Sequence, residues 1–307
     1  DQDLGALRYT LDLALQPIDT FDGFVTIDQF REAAWRYQLV SINYALGILQ
    51  TSRVPAFRGY LHEAQRRANV KMLDKRVWKY WRIENFVGNL RFEADPIKRD
   101  NIMYSGWWGL ALGAYERATG DLQFSQPGAL TLRESDSVVY PYDYRSMMDV
   151  VAGNFDTNRL CLFPCEPNWV FSICNLYGMT GLLTHDRIHG TRLGRDRLDR
   201  LNEIIEKEFT LAEGRAAVIV SKRSGFIMAT DGSPAFAATS SLLNMTSPRL
   251  AQVYWELNRH ALEQKFKGDR ELWGQQPGVD MGNYRTNHAS FWVGLMRGAR
   301  EMGDDDI

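Results

Sequence analysis

The chain has 307 residues, 45% hydrophobic and 12% aromatic, enough for one large domain with a sizeable apolar core. Its 36 basic and 38 acidic residues leave a formal net charge of -2, which offers no field to steer a nucleic acid or an anionic membrane surface. No apolar run is long enough to cross a bilayer, and Asp1-Gln2-Asp3-Leu4 has no signal-peptide pattern. A cytoplasmic protein is therefore the expectation, although a leader removed before residue 1 would leave the same sequence.

Along the chain, apolar groups recur at spacings of three and four over 28–50, which predicts a helix capped by Thr26 or Asp28. A shorter helix is expected within 52–72, interrupted near Pro55. Residues 95–120 read as one long helix, with Asp95 as its cap, Pro96 in the first position and Gly120 at its end. Gly106 and Gly109 fall on neighbouring turns of it. Each costs about 1 kcal/mol in helix propensity, so close approach of another helix or a ligand is expected there. A short strand is expected at Ser137–Tyr140. Helices are expected over 144–157, over 167–190 with Pro167 at the start and Gly190 at the end, and over about 193–208. Residues 215–230 alternate as a small hairpin turned by Arg223-Ser224-Gly225. Helices at 235–245, 249–266 and 285–302 follow, and the tail with Asp304, Asp305 and Asp306 is expected to be disordered. No fixed repeat length appears, which argues against a solenoid. The expected fold is all-α, a single domain over 1–307 built as an α/α barrel (toroid) with minor β-hairpins in its loops, ahead of a large bundle.

The polar signals converge on the middle of the chain. Cys161, Cys165 and Cys174 lie within 14 residues, too few and too close for a disulfide scaffold. His185 and His189 are four apart, but their motif HDRIH lacks the glutamate of HExxH, and no metal site is expected. The segment KRVWKYWRIENF places Trp78 and Trp81 among charges, either packed inward or as the wall of a ligand cavity. In DNIMYSGWWG, Met103 and Trp107 share a helix face. In CLFPCEPNWVFSICN, Cys165, Glu166, Asn168, Cys174 and Asn175 are unusually polar or reactive for so apolar a stretch. With a helix starting at Pro167, Cys165 precedes its first turn and Cys174 lies about two turns inside. A helix N-terminus favours an anionic thiol or carboxylate and burial opposes it, so buried structural cysteines and reactive ones both remain open. Tyr44 and Phe171 join Met103, Trp107, Trp78, Trp81 and Asn168 as candidate substrate contacts.

The runs KRVW, DPIKRDNIMYSG, ALGAYERATG, CEPNWVFSICN, DRIHGT and the terminal REMGD, in this order and spacing, resemble the bacterial linalool dehydratase-isomerase family over roughly residues 7–302. The resemblance implies an α/α barrel with a deep apolar cavity and a cofactor-free homo-oligomer. It also implies the chemistry of isomerising geraniol to linalool and dehydrating linalool to myrcene. The family's cysteine pair falls on Cys165 and Cys174, the glutamate after the first cysteine on Glu166, and its methionine on Met103. The departures are as informative. The family histidine falls on Trp107, one active-site tyrosine on Phe236, another close to Asp19, and the catalytic aspartate on Asp12 or Leu13. A family disulfide has no counterpart in KMLDKRVW, and the family's last helices would continue past Ile307, so the chain is expected to lack them. Together these imply a more apolar, more aromatic wall. They point to cofactor-independent, acid-initiated isomerisation, cyclisation or dehydration of an isoprenoid-like substrate, with Cys165, Cys174, Glu166, Asp12 and Asp19 as the catalytic candidates.

Two other readings compete. A carbohydrate-active toroid would draw an acid pair from Glu84, Glu93 and Glu166, which an inverting mechanism needs about 6.5–9.5 Å apart. A non-catalytic apolar-ligand binder would keep the fold without the chemistry.

Overall fold

Glycines decide where the two most extensively packed helices meet. In the computed structural model, α6 (Ile102–Thr119) and α8 (Ser172–His189) lie backbone against backbone, and a Cβ added to Gly106 would stand 3.0 Å from the Gly178 Cα. The structure describes residues 2–26, 31–230, 235–269, 271, 279–280, 286–287 and 289–307. Before this pair come α1 (Gln2–Ala14), α2 (Trp35–Arg53), α3 (His62–Lys71), α4 (Lys75–Trp78) and α5 (Tyr80–Asn89). Helix α7 (Tyr144–Thr157) lies between them in sequence, and α9 (Arg195–Glu208), α10 (Ala235–Leu243), α11 (Pro248–Phe266) and α12 (Ala289–Met302) follow.

The β-structure is small and antiparallel. Strands β1 (Leu132–Arg133) and β2 (Val139–Tyr140) form one pair, β3 (Trp169–Phe171), β4 (Ala217–Ser221) and β5 (Ile227–Thr230) a three-stranded sheet, and β6 (Val279–Asp280) and β7 (Thr286–Asn287) another pair. The fold is mostly helical with small hairpins.

Contacts fix the direction of the central helices. Along α6 and α8, Gly106 faces Gly178, Leu110 faces Gly181, Gly113 faces Thr184 and Glu116 meets His189, so residue numbers rise together and the helices run parallel. The same holds for α2 against α6, where Tyr37 meets Met103, Tyr44 reaches the Trp107 carbonyl and Gly47 faces Ala114. The core between them and α7 is filled by Tyr104, Trp108, Leu112, Met147, Met148, Val151, Phe155, Met179 and Leu182, all fully buried. The Trp108 indole donates to Asn69 Oδ1 at 3.2 Å, and Asn69 Nδ2 donates to Asn43 Oδ1 at 3.1 Å.

Three expectations are corrected. The helix predicted over 95–120 begins only at Ile102. Asp95 caps a turn instead, accepting from the Ile97 and Lys98 N–H groups, and Asp100 and Asn101 take left-handed φ of 55° that no α-helix accommodates. The helix predicted from Pro167 starts at Ser172, because residues 169–171 pair with β4 as a strand. The acidic tail is docked: Asp304 accepts from the Trp255 indole at 2.9 Å and pairs with Arg259 at 2.9 Å. Of the helix expected at 28–50, residues 28–30 lie outside those described, residues 31–34 form a 3-10 turn and α2 runs on to Arg53.

Candidate active site

The segment before α8 folds back on the helix because Asn175 holds it there. Asn175 Nδ2 donates to the carbonyls of Phe163 (3.0 Å) and Phe171 (2.8 Å), and its Oδ1 accepts from the Phe163 N–H at 3.0 Å. A tight turn follows, with Cys165 N–H donating to the Trp169 carbonyl at 3.0 Å. The result sets the fully buried Cys165 against Cys174, which stands in the first turn of α8 rather than two turns inside it, near enough for the Cys174 thiol to bear on the Cys165 thiol. All three cysteines are free and buried. Burial, then the neighbouring Cys174 and the Glu166 carboxylate, push the Cys165 thiol well up, so it stays protonated at neutral pH.

Beside the thiols stands a wall of partly exposed aromatic rings. Tyr177, one turn after Cys174, packs at a tilt of 35° on Trp107 with centroids 4.3 Å apart and stacks on Tyr44 at 5.8 Å. The Tyr37 ring meets Trp107 edge-on at 5.8 Å, and its hydroxyl donates to Met103 Sδ at 2.5 Å. Tyr44 O–H donates to the Trp107 carbonyl at 2.7 Å. Burial first, and Tyr177 and Cys174 after it, hold the Tyr44 phenol well above its ordinary range, so Tyr44 is a neutral donor. Arg36 is buried with its guanidinium 4.3 Å from both the Tyr37 and Tyr80 ring centroids. At the rim, Arg297 of α12 donates to the Tyr177 hydroxyl at 3.1 Å.

The other sequence-predicted residues are distributed as follows. Trp78 and Trp81 are fully buried, Trp78 donating to the Leu73 carbonyl and Trp81 packing with Ala33 and Tyr80, so neither joins the wall. Asn168 takes a left-handed φ of 74° and serves the hairpin: its Oδ1 accepts from Ser221 Oγ and the Arg223 N–H. Phe171 ends β3, its carbonyl accepting from Asn175 Nδ2 and its backbone lying near the Cys165 thiol. Glu166 lines an outer cleft of about 230 Å³ with Glu84, Val87, Pro167 and Trp169. Asp12 is exposed on α1 and Asp19 is exposed in the turn after it, its carbonyl accepting from Arg76. Neither meets the thiols among the described contacts. Phe236 belongs to α10, and its side chain lies outside the described residues.

Sequence reasoning did not single out Arg36, Tyr37, Tyr177 or Arg297. Part of the signal was present, since Tyr37 and Tyr44 are seven apart on one helix and Tyr177 follows Cys174 by three. Arg297 carries no such signal, because only the packing of α12 brings it to Tyr177.

A pair of buried thiols thus stands near the neutral Tyr44 phenol and an indole, on a mainly helical scaffold. The chain belongs to the linalool dehydratase/isomerase family, whose model matches residues 36–307. It is thus a lyase/isomerase-type enzyme, and the match lends no support to the carbohydrate-active reading. Among the described residues no helix is long and apolar enough to cross a membrane.

Proposed function

We propose that this enzyme isomerises, cyclises or dehydrates a small isoprenoid-like substrate by an acid-initiated route that needs no metal or cofactor. The substrate lies against Tyr37, Tyr44, Met103, Trp107 and Tyr177, and Cys165 and Cys174 carry the protons. The observation behind this reading is the neighbouring pair of buried thiols next to the aromatic wall, in a chain of this family.

The chemistry follows from the two sulfurs. Loss of water from an allylic alcohol needs one proton on the leaving oxygen and one removed from carbon. Cys174, the thiol whose charge is felt by Tyr44, gives its proton to the oxygen as the C–O bond breaks. The thiolate left behind is held by the S–H of Cys165, which burial and Glu166 keep protonated. A proton from the substrate carbon then returns to the Cys174 sulfur as the alkene forms. The ring faces of Trp107 and Tyr177 stabilise the intervening allylic cation, and Tyr44 orients the oxygen. Asp12 and Asp19 stand outside this scheme.

The parallel α2, α6 and α8 support a finer reading of the fold. Neighbouring helices of one direction, with α3 and α7 returning between them in sequence, are what the inner ring of an α/α barrel requires, and we assign that architecture and a deep apolar cavity to the whole. A homo-oligomer is assigned by analogy with the family.

The test is product analysis with isoprenoid alcohols and prenylated aromatics, chelator present, on the wild type and on Cys174→Ala, Cys165→Ala and Glu166→Gln. A loss of about 100-fold or more is expected for Cys174→Ala, the scale of losing a general acid. Full activity in all three folded variants would remove the thiol pair from the mechanism.

A further inference from the structure

The aromatic wall carries one enclosed hydrogen-bond donor with nothing to donate to, and beside it an exposed arginine at the rim. The indole N–H of Trp107 is enclosed and meets no acceptor among the described residues, although the residue's backbone carbonyl is taken by Tyr44. An enclosed donor without an acceptor has lost its hydration and gained nothing in return. Tyr177 accepts from Arg297 at its hydroxyl oxygen, which leaves the phenolic hydrogen without an acceptor among the described residues. The Arg297 guanidinium lies 6.0 Å from the Tyr177 ring centroid and has no carboxylate partner among the described residues. Trp107 and Arg297 thus flank one ring, and the donors around that ring include a full positive charge.

We propose that Trp107, Tyr177 and Arg297 form a head-group subsite that binds an anionic oxygen group, a carboxylate or a phosphate, on an otherwise apolar isoprenoid-like substrate. This rests on the aromatic wall being the substrate site. A neutral hydroxyl would satisfy the indole N–H and leave the guanidinium without a counter-charge. An anionic group answers all three donors, because its oxygens accept in several directions and charge-assisted bonds to arginine are the stronger kind. The packed Tyr44, Tyr177 and Trp107 rings then take the isoprenoid tail. The substitution of Trp107 at the position where the family resemblance puts a histidine fits this: a proton acceptor is exchanged for a fixed donor. In this enzyme the position orients the head group, and proton transfer is left to the sulfurs.

The experiment is calorimetric binding of three ligands with one C10 isoprenoid tail: the alcohol, the carboxylic acid and the monophosphate ester. It uses the full chain, at low and at moderate salt. The wild type is expected to prefer at least one of the two anions over the alcohol by about tenfold or more, the scale of a charge-assisted contact at a partly dry site. The stronger of the two identifies the head group. Arg297→Gln should bring the ratio to about one, Arg297→Lys should keep part of it, and Trp107→Phe should weaken every ligand that places oxygen there. Equal affinity for the alcohol and both anions in the wild type, or a preference that survives Arg297→Gln, overturns the subsite. Turnover by the thiol pair is measured separately on the alcohol panel, so the subsite can fail while the proposed reaction stands. Absence of binding by all three tails would overturn the subsite and the wall together.

Discussion

Glu116 of α6 and His189 of α8 meet at 2.8 Å, with 0% and 4% of their side chains exposed. Ser125 Oγ donates to the other carboxyl oxygen at 2.6 Å, His185 stacks beside His189 at 4.5 Å, and the Tyr144 ring closes the group from α7. Arg145, Asp121 and Asp186 are the further charges that bear on it. Burial raises Glu116 to about 7 and depresses His185 to about 4, with His189 also lowered.

These shifts give opposing pH responses. Glu116, raised in the fold, contributes stability present below its unfolded value near 4.5 and lost as pH rises through about 7. His185, depressed in the fold, contributes stability present above about 6.5 and lost as pH falls through about 4. Between 4.5 and 6.5 the two slopes oppose, so the wild-type unfolding midpoint should vary little there. Glu116→Gln removes the falling component. Its midpoint relative to wild type should climb steadily from pH 4.5 to 7 in thermal melts, and a difference independent of pH would refute the assignment.

Asn175→Ala should weaken the fold and the reaction together. It leaves the buried Phe163 N–H and two carbonyls without their partner, at a cost of about 1–3 kcal/mol in urea unfolding. Because the same bonds set Cys165 against Cys174, turnover should fall further than stability explains, with kcat hit harder than KM. Unchanged kcat in the folded variant would show that the thiols keep their register without it.

Trp107→His and Trp107→Ala should alter what the enzyme makes. The indole packs on Tyr37 and Tyr177, so its removal widens the wall, and the imidazole restores a titratable group. Product profiles by gas chromatography should shift in both. Identical products and rates would put the ring outside the substrate's reach.

The glycines of α6 should separate by what they touch. Gly106→Ala meets the Gly178 backbone at 3.0 Å, which cannot give without parting two helices. Gly109→Ala meets the Met148 sulfur at 2.5 Å, the far end of a flexible side chain. We expect about 3 kcal/mol or more lost for the first and about 1 kcal/mol for the second, measured by denaturant midpoints. A reversed order would mean that α6 and α8 are looser than their contact implies.

Periodicity and punctuation made the helices legible: Gly120 and Gly190 end α6 and α8 with positive φ, and Gly225 turns the β4–β5 hairpin as expected. The expectation of close approach at Gly106 also matches, against Gly178. What local pattern could not reveal was where neighbours overrule it. Asp95-Pro96 is a good helix start in isolation, yet the chain turns at Asn101, whose side chain is held by Tyr80 and the Pro96 carbonyl. Pro167 is another, and pairing with β4 claims its successors. The acidic tail reads as disordered until Trp255 and Arg259 are seen to bind Asp304. For the site, the chemistry of CEPNWVFSICN was visible in the residue types. That Tyr37, Tyr177 and Arg297 gather there was not, because three separate helices supply them.

Three helices pointing the same way give the molecule two unlike ends. The sulfurs and the rings around Trp107 belong to the end where α6 and α8 begin, and Glu116 and His189 to the end where they finish. Trp107 and Glu116 are separated by nine residues of unbroken helix, roughly 13 Å at 1.5 Å per residue. The helices that join the ends are pressed together at glycine. Acidity therefore acts on this protein through two independent channels. On the proposed mechanism the pH curve of turnover should follow the thiol pair, while the shifts of Glu116, His185 and His189 should show in the pH curve of unfolding.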